Sequence, residues 1–458
     1  MGHSRRSLAA IALGLMAAPA AHAAGPTPVI ACQDLISAIA AAGEATELSF
    51  AMAGDFKCTE AVTIPSNLSL SIINEPSLRY RIDVGNTSTG TSFDSMFMNG
   101  GSLILDNVLF RGLLNQHTRA IYSGNGKLVI KNCGFEEFMQ RNGAVIYASG
   151  STVDISGSSF QTNTANYKGG AIFADSTDLT VSESNFQGNS AVNSGGDIYG
   201  VQGVTMTVTT TRFQGSVSEY DAASISGCGG TFDACRFVSN QSPQSGAVVS
   251  SGDNCPPLSI TNSFFMGNSA SAEGGTGGAV RALQTDLSIS DTEFDSNFAA
   301  EAGAAIYFLT STGNTINVDT CSFSSNQNGG LGEGSAIWLE NSDVAAGDGS
   351  AALRLGSVSG STCTGSQDTC EVADAFGNIS VDSTGGCDVC VPGSDSEQSE
   401  APAPAPAAGN DGNSRGIIIG LSVTLAVAVT AAVLAMFAYR RSRRRRYRLD
   451  HDDWADEY

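Results

Sequence analysis

Apolar side chains recur along the middle of the chain in a fixed phrase. Two sit two positions apart, and a Phe follows seven residues after the first. Leu103, Leu105 and Phe110 make one phrase; Leu128, Ile130 and Phe135 the next; then Val153, Ile155 and Phe160; then Leu179, Val181 and Phe186. The Phe series continues through Phe213, Phe237, Phe265, Phe294 and Phe323, in steps of 24 to 29 residues. A spacing of two is the period of a strand with one buried face. Self-similarity at a fixed period of this length is the mark of a solenoid. Leucine-rich repeats need L-x-x-L-x-L-x-x-N, which is absent, so the pattern predicts a right-handed parallel β-helix with three strands per coil.

The remaining repeated letters fit that prediction. Asn163, Asn189, Asn240, Asn268, Asn297 and Asn326 each lie three after a Phe. Stacked coils would bring them together to satisfy backbone groups at a bend. A Gly-rich phrase follows most coils, as in Gly169-Gly170-Ala171-Ile172 and Gly277-Gly278-Ala279-Val280. Gly suits bends with positive φ or close backbone approach. Outward strand positions are Thr, Ser and Asp. The core solenoid is predicted over 24–345, with a cap helix near 32–42 and irregular first coils over 48–100. A Cys-bearing cap is expected over 346–392 and a Pro/Ala/Ser linker over 393–415.

The alternating G-G-A-[IV] and F-x-x-N phrases resemble the polymorphic outer membrane protein repeats of chlamydiae, also found in β-helix surface proteins of protists and algae. The similarity covers roughly Leu103–Ile337. It implies a pectin lyase-like right-handed β-helix at a cell surface. The bacterial proteins end in an outer-membrane barrel, whereas this chain ends in a helix-length apolar run.

The chain ends add a location. Arg5 and Arg6 precede an apolar run and the small-residue site Ala21-His22-Ala23, which reads as a signal peptide over 1–23. Residues 416–439 carry no charge and are long enough to span a bilayer as a helix. Seven arginines follow between Arg440 and Arg448, predicting a single-pass type I plasma-membrane protein with its N-terminal domain outside. The arginines of the 440–458 tail would hold anionic inner-leaflet lipid. Outside signal and tail, 14 Lys and Arg face 40 Asp and Glu. Such a surface excludes nucleic acid as a partner.

All 11 cysteines lie between Cys32 and Cys390, outside the expected membrane segment. An exported setting makes disulfides the default. Cys133, Cys235 and Cys321 sit two before a Phe, facing the core several coils apart, and are predicted as buried thiols outside any disulfide. Cys32–Cys58 and Cys228–Cys255 are candidate pairs. Cys363, Cys370, Cys387 and Cys390 would form two bonds of unassigned pairing in the C-terminal cap, in preference to a zinc site. N-glycosylation sequons fall at Asn67, Asn86 and Asn378. A fourth, at Asn240, occupies the Asn ladder and is expected to be buried and unmodified.

Chemistry is sparse. The polygalacturonase motifs Gly-His-Gly and Arg-x-Lys are missing, and Lys and Arg are scattered. The nearest candidate catalytic pair is Asp154 with Asp178, on adjacent coils and about 8 Å apart, a separation suited to an inverting hydrolase. Outward carboxylates on a solenoid serve solubility, so no catalysis, cofactor or metal is expected. The sequence predicts a non-catalytic surface protein binding carbohydrate or protein. The alternative is a membrane-tethered polysaccharide lyase or glycoside hydrolase of the same fold.

Overall fold

The computed structural model describes residues 26–85, 94–113, 117–201, 203–227, 229–246, 249–250, 255–310, 314–329 and 336–341, with short strands as far as 390. Among these residues the strands form parallel sheets of 13, 12, 8 and 13 members. The first sheet stacks strands such as Ser102–Asp106, Lys127–Lys131, Thr152–Ser156 and Asp178–Ser182. The second carries the Phe strands, such as Gly134–Glu136 and Ser159–Gln161. The last stacks Arg119–Gly124, Ile146–Ser149, Ile172–Asp175 and Ile198–Gly200. The fold is therefore an all-β parallel β-helix, as the repeat predicts.

One expectation is corrected. From Met139–Asn142 to Gln327–Asn328 each coil adds a short strand between the Phe strand and the last sheet, so these coils hold four strands rather than three. Several are only two residues long, as at Ser190–Ala191, too short to show an alternation in sequence. The first coils are also more regular than expected. Leu48 pairs with Leu70 and Leu70 with Leu103, already in register.

Register explains the core. Leu128 sits between Leu103 and Val153, and Phe135 between Phe110 and Phe160. Strand spacing brings like side chains within contact. Nine Phe rings from Phe110 to Phe323 stack with centroids 4.6 to 5.1 Å apart. Each fully buried ring contributes roughly 1.5–3 kcal/mol by leaving water.

The chain turns sharply on both sides of each Phe. Three residues before it, the backbone is left-handed at Asn107, Asn132, Gly157, Glu183, Thr210, Ala234, Asn262, Asp291 and Thr320, with φ between 49° and 58°. A second left-handed residue follows two after the Phe, as at Glu137, Thr162 and Gly188. Such residues cost about 1 kcal/mol each unless Gly or Asn. The Gly169–Gly170 pair shows two separate demands for glycine. Gly169 has φ +67°, and a Cβ on Gly170 would lie 1.9 Å from the Gly196 carbonyl oxygen of the next coil.

The asparagines form the expected ladder. Asn268 Oδ1 accepts from both the backbone N–H and Nδ2 of Asn240, at 3.1 and 3.0 Å. Asn268 Nδ2 donates back to the Phe237 carbonyl at 3.0 Å. The same arrangement links Asn163 to Asn189 and Asn297 to Asn326. The ladder breaks where Ser216 replaces Asn. There Asp197, in the slot other coils fill with Ala, supplies the acceptor. It takes hydrogen bonds from Asn189 Nδ2 (2.8 Å), Ser216 Oγ (2.8 Å) and Ser224 Oγ (2.7 Å). Burial pushes its carboxyl up to about 7 against the pull of those three donors.

The N-terminal end is closed as the sequence predicts. Helix Cys32–Ala41 packs on strands Thr27–Val29, Phe56–Cys58 and Val62–Ile64, burying Cys32 and Leu35. Asp34 accepts from the backbone N–H of Ile30 and of Ala31, closing its first turn. A disulfide joins Cys32 to Cys58, with Cα atoms 5.0 Å apart.

Candidate functional site

The sequence-nominated residues scatter. Asp154 pairs across strands with Thr180, and Asp178 with Thr152, so the two carboxylates are diagonal neighbours on the outer wall of the first sheet. Both are exposed, on a wall of Ser and Thr that also carries Thr205, Thr207 and Thr209. Cys133, Cys235 and Cys321 are buried and outside any disulfide, and burial pushes their thiols up to about 12, 11 and 12. Cys255 is disulfide-bonded. Cys228 and Cys387 lie outside the described residues, and at Cys363, Cys370 and Cys390 only the strand backbone is described. Asn240 is fully buried in the ladder, whereas Asn67 is exposed. Asn86 and Asn378 lie outside the described residues, as do 1–23, the linker and the 416–439 and 440–458 segments. Among the described residues, no helix is long and apolar enough to cross a membrane and no group of metal-holding side chains is present.

Sequence reasoning missed the outward aromatics of the last sheet. Tyr122, Tyr147, Phe173 and Tyr199 occupy one row, and their rings stack at 5.5, 4.8 and 5.5 Å. Arg119 lies over Tyr147 at 5.1 Å, and Lys168 lies over Tyr199 at 4.2 Å. Arg119 is itself buried, held by the Asp94 carboxylate and the carbonyls of Asn142 and Gly143. Stacking seals these ring faces against one another, so the row presents ring edges to a ligand. Aromatic positions at steps of 25 and 26 residues were the signal for it.

A second row runs along the edge where the short sheet turns into the last. Tyr167, Asn193, Tyr220 and Gln244 each lie seven after their coil's Phe, at 160, 186, 213 and 237. The Asn193 N–H donates to the Tyr167 carbonyl at 2.8 Å, and the Gln244 N–H to the Tyr220 carbonyl at 3.2 Å, which fixes the rows in line. Aromatic and amide side chains therefore alternate, one per coil. Tyr167 and Tyr220 are 41% and 52% exposed, and neither stacks on another ring among the described residues. With Val192 they make three of the six exposed large apolar residues described. Beside them lies a groove of about 540 Å³ lined by Asn193, Tyr220, Asp221, Gln244, Glu273 and Arg281. Amphipathic rings, amides and a few charges on one surface are the composition of a recognition site.

A shallower groove of about 440 Å³ opens at the corner between the first and second sheets. Phe264 faces outward there beneath the Arg236 guanidinium, 4.9 Å from its ring. Asp291 and Glu293 also line it, both exposed. This is a carboxylate pair that sequence reasoning passed over, because only the corner geometry sets it beside Arg236 and Phe264.

No family model matches the chain, and no curated protein matches it. Among solved structures it is similar to tailspike protein 3 of bacteriophage CBA120, at 12% identity and a TM-score of 0.37. The match covers 77% of this chain and 57% of the tailspike, so it spans little more than half of that protein. The β-helix assignment rests on the strand registers themselves.

Proposed function

We propose that the chain is a non-catalytic recognition protein of the cell surface. Its pectin lyase-like β-helix stands outside the membrane and binds carbohydrate or protein along its flank. The observation that carries this reading is the exposed edge row of Tyr167, Asn193, Tyr220 and Gln244 beside an open groove. Tyr supplies large contact area at low entropic cost, and amides adapt their hydrogen bonds to a polar ligand. The anchor rests on the sequence: the uncharged 416–439 run and the arginines that follow support a type I topology, with inner-leaflet lipid as partner of the tail.

Glycan and extracellular-protein arrays probed with the full-length chain test the reading. Binding to either class upholds it, and blank arrays defeat it. Biotinylation of intact cells with a membrane-impermeant reagent tests the location, since labelling of the β-helix requires it to be outside.

A second reading has one observation in its favour. Asp291, Glu293, Arg236 and Phe264 share a groove, and paired carboxylates with an aromatic wall are the parts of a glycoside hydrolase. Turnover on a polysaccharide panel, lost in both Asp291→Asn and Glu293→Gln, would establish that reading over the first. Turnover lost only in Asp154→Ala or Asp178→Ala would place the chemistry on the first sheet instead.

A further inference from the structure

We propose that the Tyr167–Asn193–Tyr220–Gln244 edge takes a neutral pyranose chain lying along the solenoid axis; this rests on the recognition reading and names its ligand. Three observations converge on it. The first is spacing. Successive coils stand about 4.8 Å apart, so Tyr167 and Tyr220 are separated by about 10 Å along the axis. A linear chain of pyranoses advances roughly one ring per coil. Alternate sugars can then lay their apolar C–H faces on Tyr167 and Tyr220, while those between set their hydroxyls against Asn193 and Gln244.

The second is ring availability. The Tyr122–Tyr199 ladder on the neighbouring sheet has its faces sealed by stacking. In the edge row an amide separates the two tyrosines, so no other aromatic ring among the described residues covers their faces. Lys168 sits 5.2 Å from the Tyr167 ring centroid, which leaves Tyr220 the more open platform.

The third is charge. Lys168 and Arg281 are outnumbered here by Glu219, Asp221, Glu273 and Glu301, so the edge offers no excess of positive charge. The rest of the exported region carries far more acid than base. A polyanion would be repelled on approach, and a neutral chain pays no such penalty.

The test is calorimetric titration of the full-length chain in detergent with linear neutral hexose oligomers of increasing length, in glucose, mannose and galactose series. Polygalacturonate serves as the anionic comparison. At least one neutral series is expected to bind more tightly with each added unit up to a tetrasaccharide and then level off. Tyr220→Ala should weaken that binding at least tenfold, Tyr220→Phe should retain it, and Tyr147→Ala should leave it within twofold. Unfolding midpoints confirm that each variant is folded. Binding of a glycan that ignores Tyr220→Ala overturns the site while leaving the recognition reading intact. Preference for polygalacturonate overturns the neutral ligand. Failure of every neutral series overturns the proposal, and only blank arrays in addition remove the recognition function itself.

Discussion

Asn189 Nδ2 donates to Asp197 Oδ1 at 2.8 Å, where every other rung of the ladder would offer an asparagine. The groups facing Asp197 are Asn189, Ser216 and Ser224, all uncharged. Burial raises its carboxyl to about 7, so near pH 5 the folded chain holds a proton that the unfolded chain has released. Stability therefore falls as pH rises from about 4 to about 7 and stays low above that. The contribution is on the order of 4 kcal/mol over the window. Urea midpoints measured from pH 4 to pH 8 should fall for the native chain. Asp197→Asn, which keeps the shape and can donate to Ser224, should flatten that fall and be the more stable chain at pH 8. An equally steep fall in the variant would assign the pH dependence elsewhere.

Asn268→Ala removes an acceptor serving two donors of Asn240 and a donor serving the Phe237 carbonyl. Buried groups left without partners cost about 1–3 kcal/mol each. A loss of about 3 kcal/mol or more is expected from chemical denaturation. A surface change such as Thr207→Ala should stay within about 0.5 kcal/mol.

Thiol reagents should not find the three core cysteines. With thiols pushed to about 12, 11 and 12, Cys133, Cys235 and Cys321 hold almost no thiolate at pH 8. A chromogenic disulfide reagent should react with none of them in the native chain and with all of them in denaturant. Cys133→Ser should fold normally, because Ser158 and Ser184 fill the same slot in the next coils. Peptide mapping that finds Cys133 alkylated in native protein within minutes would refute its protected state.

Removing the cap disulfide should matter more than its place at one end of the solenoid implies. Cys32 and Cys58 close a loop of 26 residues. In the chain-entropy account such a loop contributes about 3.5 kcal/mol. The double variant Cys32→Ala with Cys58→Ala should lower the unfolding midpoint accordingly, and hydrogen exchange should rise first in the helix Cys32–Ala41.

The fold could be read from sequence because the solenoid repeats its core contacts in register. Phe213 and Phe237 lie 24 residues apart and touch, so the chain states the contact twice. The Asn ladder was legible for the same reason, and its exception at Ser216 is rescued by a residue from the Ala slot, which no periodicity announces. The left-handed corners were illegible, since Glu183, Thr210 and Ala234 have no preference for that backbone and are held there by the packed Phe beside them. The edge row was hidden by its alternation. Tyr167 and Tyr220 are 53 residues apart with Asn193 between them, so a search for one repeated letter passes over it. Asp154 and Asp178 were legible as outward carboxylates on adjacent coils, and the register sets them as diagonal neighbours on the exposed wall.

The helix Cys32–Ala41 and the strand Thr27–Val29 have a consequence beyond the stability of one end. A parallel solenoid can grow, because an open end offers the same unpaired backbone that every coil offers the next. Strand Thr27–Val29 occupies the first-sheet edge at Phe50–Met52, and the helix closes the tube beside it. Those few residues are a terminator. They close the N-terminal end of a structure that could otherwise add coils there from a neighbouring molecule.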